Sequence, residues 1–100
     1  MGRAEYKVKD GKLIRIQLSE VNQRIDNIKI TGDFFLHPET LIEELEETLM
    51  GQPLDEVTLT SSIEVLLTKR NATLLGASPA DFAKCIMMAV NKKWLNDGAS

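Results

Sequence analysis

At 100 residues, with 43% hydrophobic and 27% charged side chains, the chain has the length of one small domain (1–100) and is too apolar to stay disordered. A net charge of −3 and a lone cysteine argue against a strongly basic nucleic-acid binder, an internal disulfide and a cysteine-built metal site. No apolar run approaches the roughly eighteen residues that a membrane span needs, and no basic-then-apolar leader is read ahead of the first strand, so a cytoplasmic setting is expected.

The first third alternates with a period of two. Tyr6 and Val8 alternate with Glu5, Lys7 and Lys9, and Ile14, Ile16 and Leu18 alternate with Arg15, Gln17 and Ser19. Both segments read as half-buried strands, and Asp10-Gly11 between them is a hairpin signal. A polar bend at Asn22 and Gln23 leads to a third strand, where Ile28 and Ile30 alternate with Asn27, Lys29 and Thr31. The pattern predicts a three-stranded antiparallel meander with one apolar and one polar face.

The period then lengthens to that of a helix. Leu41, Ile42, Leu45 and Leu49 form a stripe; Pro38 suits a first helical turn, Glu39 sits near the positive end of the dipole and Gly51 marks a stop. Leu59, Ile63, Leu66 and Leu67 form a second stripe whose start falls between Asp55 and Ser62, because Thr58, Thr60, Ser61 and Ser62 are weak helix formers. Ser78, Pro79 and Asp81 open a third helix with a capping-box pattern, and Phe82, Ile86, Val90 and Trp94 carry its main stripe. Cys85, Met87, Met88 and Ala89 widen that stripe, which places the helix at the centre of the core or under a further cover. The fold class is α+β, a three-stranded antiparallel meander followed by three helices packed on one face, βββααα.

Motifs for catalysis are absent: no phosphate-binding glycine loop, no HExxH, no GxSxG and no calcium loop. His37, beside Pro38 at a helix entrance, reads as a capping or loop residue, and Cys85 inside a helix reads as a small buried hydrophobe. Residues 1–30 nevertheless hold seven bases (Arg3, Lys7, Lys9, Lys12, Arg15, Arg24, Lys29) against four acids, whereas residues 39–56 hold seven acids and no base. The acidic run reads as a solvated helix face. A basic sheet face could attract phosphate, but RNA-binding sheets stack bases on aromatics, and only Phe35 offers itself among the outward positions.

The segments GKLIRIQL and IDNIKITGDFFLHPETLIEELEETLMG together resemble the C-terminal accessory domain of lipoate-protein ligase, which similarly has a Gly-Lys-Leu strand, an Ile-rich strand, and Gly-Asp-Phe-Phe leading into a Leu- and Glu-rich helix. The match covers residues 11–51, with looser agreement to about residue 92. The resemblance implies a fold shared with iron-sulfur assembly proteins of the SufE and NifU type, although the single Cys85 argues against their chemistry. It also implies an enzyme that activates lipoate with ATP and Mg²⁺ to lipoyl-AMP and passes lipoyl to a lysine of an acceptor domain. The active site belongs to a large catalytic domain. Some bipartite, notably archaeal, ligases supply the accessory domain as a separate small subunit, and a chain starting at Met1 just before its first strand resembles that form.

The resulting expectation is a non-catalytic accessory subunit, binding no cofactor and no metal alone, in a heterodimer with the large catalytic subunit. An iron-sulfur assembly accessory or an unrelated protein-interaction module is the alternative, with a small RNA-binding domain behind them. Partner contacts are expected through part of the sheet edge, the 32–38 junction (Gly32, Asp33, Phe35, His37) and the third helix, with Lys12 as the candidate for reaching a ligand or nucleotide. Phe34 and Phe35 pose the sharpest question. Either both rings pack under the first helix, or Phe34 anchors sheet to helix while Phe35 faces a partner.

Overall fold

Period-two alternation builds three antiparallel strands in the order β1 (Gly2–Lys7), β2 (Leu13–Val21), β3 (Arg24–Gly32), as the sequence predicts. The computed structural model describes residues 2–8 and 11–99, with side chains through residue 90. Lys9, Asp10 and the side chain of Trp94 therefore lie outside the described residues. Cross-strand rows run Gly2–Leu18–Ile28, Ala4–Ile16–Ile30 and Tyr6–Ile14–Gly32 on the inner face, and Arg3–Gln17–Lys29 and Glu5–Arg15–Thr31 on the outer face. The β2–β3 turn is Asn22-Gln23, both at positive φ (54° and 63°), the geometry that matches the twist of flanking strands.

Ile25 and Ile28, three residues apart, are both buried, which strict alternation forbids. A register shift resolves this: Ser19 pairs with Asn27 and Glu20 with Ile25, so Asp26 is an extra residue that resets the phase.

Beyond β3 the chain departs from the predicted order. The segment β4 (Phe35–His37) pairs antiparallel with β5 (Thr73–Leu75) as a separate two-stranded ribbon, giving βββ-β-αα-β-α rather than βββααα. Three-residue strands leave too little periodicity to be read from sequence.

Helix α1 (Leu41–Leu49) buries Leu41, Leu45 and Leu49 and packs on β3 and β4. It starts later than Pro38: a tight turn intervenes, with the Leu41 N–H on the Pro38 carbonyl at 3.0 Å. Gly51, at φ 85°, follows its end as expected. Helix α2 (Glu56–Lys69) buries Leu59, Ile63 and Leu66 and lies against α1 and α3, so it forms an outer layer rather than sharing the sheet face. Its cap explains how a Thr- and Ser-rich start is tolerated. The Asp55 carboxylate accepts from Thr58 Oγ1 (2.7 Å) and Thr58 N (2.9 Å), and these bonds lower its pKa below the usual carboxylate range.

Helix α3 (Pro79–Ala99) is the central one, packed on β1, β2 and α2. Its capping box forms as read: the Ser78 N–H donates to Asp81 Oδ2 at 2.9 Å, and the Asp81 N–H to Ser78 Oγ at 3.4 Å. Phe82, Ala83, Cys85, Ile86 and Ala89 are buried against Ala4, Ile14 and Ile16 in a continuous core. Truncating the fully buried Ile14 leaves a cavity under α3, so Ile14→Ala should lower unfolding stability by about 2–5 kcal/mol in urea titration, with an unchanged slope.

Candidate functional site

The two sequence segments that carry the family resemblance meet at one end of the sheet. The β1–β2 hairpin is closed by Val8 N–H to the Lys12 carbonyl (3.0 Å) and Gly11 N–H to the Val8 carbonyl (2.8 Å). Lys12 N–H then donates to the Gly76 carbonyl at 3.0 Å, tying the hairpin to the residue after β5. Leu13 N–H donates to Asp33 Oδ1 at 2.6 Å, and Asp33 N–H returns to the Leu13 carbonyl at 3.2 Å. Gly32 lies at φ 152°, and a Cβ there would collide with the Leu13 carbonyl. Gly32 and Asp33, expected at a partner interface, are thus first of all a clasp between β2 and the exit of β3.

The clasp turns the chain, and the turn separates the phenylalanines. Phe34 swings inward and meets Phe82 of α3 edge-on, with ring centroids 5.0 Å apart and planes at 89°. Phe35 enters β4 and points outward, 49% exposed. The two rings are thus parted, one against α3 and one exposed, rather than packed together, and Phe35 does not continue the outer face of β3, because that strand ends at Gly32.

Phe35 has company. Its ring lies parallel to the His37 imidazole at 6.3 Å between centroids, and its cross-strand partner Leu75 is 58% exposed. One face of the β4–β5 ribbon is therefore Phe35, His37, Thr73 and Leu75. Beside it opens a cavity of about 300 Å³ bounded by Gly32, Phe34, Phe35, Leu36, Glu39 and Ile42. Leu75 was not singled out by sequence; the signal available was an apolar Leu74-Leu75 pair closed by Gly76 between two helices. Lys12 is exposed at the same end, its stem lying against Gly76.

The acidic run is more than a solvated face. Glu44 pairs with Arg70 (2.6 Å), and Glu46 Oε2 accepts the Ile30 N–H (2.7 Å) at the edge of β3, while Glu43 and Glu47 are exposed. The outer sheet face carries Arg3, Arg15 and Lys29 as expected, with Arg15 bound to Glu5 at 2.9 Å. It presents no aromatic side chain among the described residues, which removes the stacking platform that single-stranded RNA requires.

Cys85 is fully buried, its sulfur 3.7 Å from the carbonyls of Ala4 and Ile14. Burial, with a smaller contribution from the Glu5 charge, pushes its pKa up to about 11.

A family model described as the C-terminus of bacterial lipoate protein ligase matches residues 4–86, from β1 into α3. The chain belongs to the lipoate-protein ligase C-terminal domain family. Lipoate-protein ligase A subunit 2 of Thermoplasma acidophilum is 32% identical over 83 residues, covering 81% of this chain and 82% of that relative. A solved structure from the same organism, of a bi-partite lipoate protein ligase and its E2 lipoyl domain, has a chain matching with a TM-score of 0.72 and 31% identity, over 84% of this chain and 91% of that one. The match to this lipoate-ligase domain thus takes in the clasp, both phenylalanines, the β4–β5 ribbon and Phe82.

Within this ligase-family domain the phenylalanine pair divides its roles. Phe34→Ala should cost about 2 kcal/mol or more in denaturant unfolding, whereas Phe35→Ala should stay within about 0.5 kcal/mol of the parent. The buried thiol makes a second prediction. Raising its pKa from 9.0 to about 11 cuts the thiolate share roughly a hundredfold at neutral pH, so Cys85 should resist iodoacetamide in the native chain and alkylate fully in denaturant, as read by mass spectrometry.

Proposed function

We propose that the chain is the non-catalytic small subunit of a bipartite lipoate-protein ligase, needed with a large catalytic subunit for the ATP-dependent activation of lipoate to lipoyl-AMP. The observation that supports this best is its identity, over most of both chains, to a relative that is itself named as a second subunit. The rigidly clasped, outward-facing Phe35–His37–Leu75 ribbon adds a physical means of docking, since an exposed aromatic beside a cavity can supply much of an interface's energy.

In this proposal the heterodimer forms through the ribbon and the neighbouring clasp. Gly32 and Asp33 set the ribbon's angle, Phe35 enters a pocket on the large subunit, and His37 supports the ring. Lys12 extends toward the partner's nucleotide pocket from the same end of the sheet. Docking energy orders loops around the adenylation site without donating a reacting group.

ATP, Mg²⁺ and lipoate are handled by the large subunit. No three His, Cys, Asp or Glu side chains are grouped to hold a metal ion among the described residues. Acceptor lipoyl domains enter only through the assembled ligase. Among the described residues no helix is long and apolar enough to cross a membrane, and a cytoplasmic ligase is the setting proposed. The wider architecture resembles iron-sulfur assembly proteins of the SufE and NifU type in the same proposal, but their sulfur-handling chemistry does not suit a thiol as buried as Cys85.

The test adds the purified chain to its cognate large subunit and follows lipoate-dependent AMP formation and lipoyl transfer from premade lipoyl-AMP separately. Activation should depend on the chain, and Phe35→Ala should weaken the heterodimer by about tenfold or more while folding normally. If the chain changes neither reaction, the reading fails.

A further inference from the structure

The two edges of the three-stranded sheet are treated differently. Along β3 the amides of Ile25, Ile28 and Ile30 are taken by the chain itself. Ile25 exchanges bonds with the 51–52 segment (its N–H to the Gln52 carbonyl at 3.0 Å, its carbonyl from Gly51 N–H at 2.7 Å), Ile28 N–H donates to the Asn27 side chain at 3.0 Å, and Ile30 N–H donates to Glu46 at 2.7 Å. An isolated bridge between Arg24 and Pro53 closes the start of the same edge. No further strand can add there without displacing these partners.

The β1 edge carries nothing comparable. The Val8–Lys12 bond fixes the phase of the β1–β2 ladder, so Gly2, Ala4 and Tyr6 exchange bonds with Leu18, Ile16 and Ile14. The N–H and C=O groups of Arg3, Glu5 and Lys7 consequently point away from the sheet. None of them has an intrachain partner among the described residues. Six residues of backbone are thereby presented as a template, flanked on the outer face by a groove of about 530 Å³ bounded by Arg3, Glu5, Arg15, Gln17, Lys29 and Thr31. Arg3 and Lys29, at the two ends of one cross-strand row, have no carboxylate within ion-pair distance among the described residues. On the inner side the edge is bounded by Tyr6, over whose ring Lys84 lies at 4.9 Å.

We propose that β1 accepts an extended segment of the large subunit as a fourth strand of the sheet, a step that rests on the subunit reading above. The occupant alternates acidic residues, set against Arg3, Lys7 and Lys29, with apolar residues laid beside Tyr6. A second copy of this chain fits poorly. The antiparallel self-pairing that uses the whole edge sets Glu5 against Glu5 and Arg3 against Lys7, like charges at every outward position.

Hydrogen exchange read by NMR on the full chain, with and without the cognate large subunit, tests this without any substitution. The amides of Arg3, Glu5 and Lys7 should slow by about a hundredfold in the complex, while those of Ala4 and Tyr6, already bonded to β2, should change little. Glu5→Pro removes one outward donor and spares the β1–β2 ladder, so it should weaken the complex by about tenfold or more; Glu5→Ala, which keeps the N–H, should weaken it by less than about threefold. If the large subunit binds and the three amides exchange as before, strand addition is wrong and the subunit reading stands. If the large subunit does not bind, both are wrong. Protection that appears in the chain alone and rises with its concentration would assign the edge to self-association and overturn the proposal.

Discussion

The Asp33 carboxylate, accepting the Leu13 N–H while its own N–H returns to the Leu13 carbonyl, is the constraint on which the rest of this end of the molecule depends. It stops β3, and the stop is what allows two adjacent phenylalanines to take opposite roles. An uninterrupted strand would also send them to opposite faces, but Phe35 would then lie on the basic outer surface of the sheet. The turn instead lifts it onto a ribbon of its own. The close approach of the Leu13 carbonyl demands glycine at 32, and a short acceptor in the next position must reach back one strand. Gly-Asp-Phe-Phe is thus one mechanical device in which only the last residue is left over for contact with anything else.

Charge is distributed to the same end. Arg3, Lys7, Arg15 and Lys29 lie on the outer face of the sheet, and the acids of α1 are spent partly inside the fold, on Arg70 and on the exposed backbone of β3. A carboxylate bonded to an edge amide satisfies the donor and repels an incoming strand's carbonyls, so the acidic helix protects the edge that it faces. The same protection is missing at β1, and the two edges differ in chemistry as well as in cover.

The larger elements were legible because their signals are local and repeated. Alternation gave the meander, and Ser78, Pro79 and Asp81 gave the start of α3 at the residue observed. What escaped was non-local. The bulge that buries Ile25 together with Ile28 depends on pairing with Glu20, and β4 and β5 are each too short to show a period. The resemblance drew attention to Gly32, Asp33 and Phe35 together, without separating the two that build the turn from the one that is displayed. His37 looked like a helix-entry residue and is a strand residue stacked on Phe35, because α1 begins only at Leu41. Leu75 entered the patch only through a strand pairing that no sequence window contains.

That pairing has a consequence for how the surface comes into being. Joining Phe35 to Leu75 closes a loop that contains all of α1 and α2, and three residue pairs offset little of the entropy that such a closure costs. The ribbon can therefore persist only when both intervening helices are already seated and the Lys12–Gly76 and Leu13–Asp33 bonds hold its two ends. Phe35 and Leu75 are expected to come together late in assembly and to part early in any partial opening. A molecule that recognises the pair is sensing the completion of the whole domain, and an incompletely folded chain has no such surface to offer.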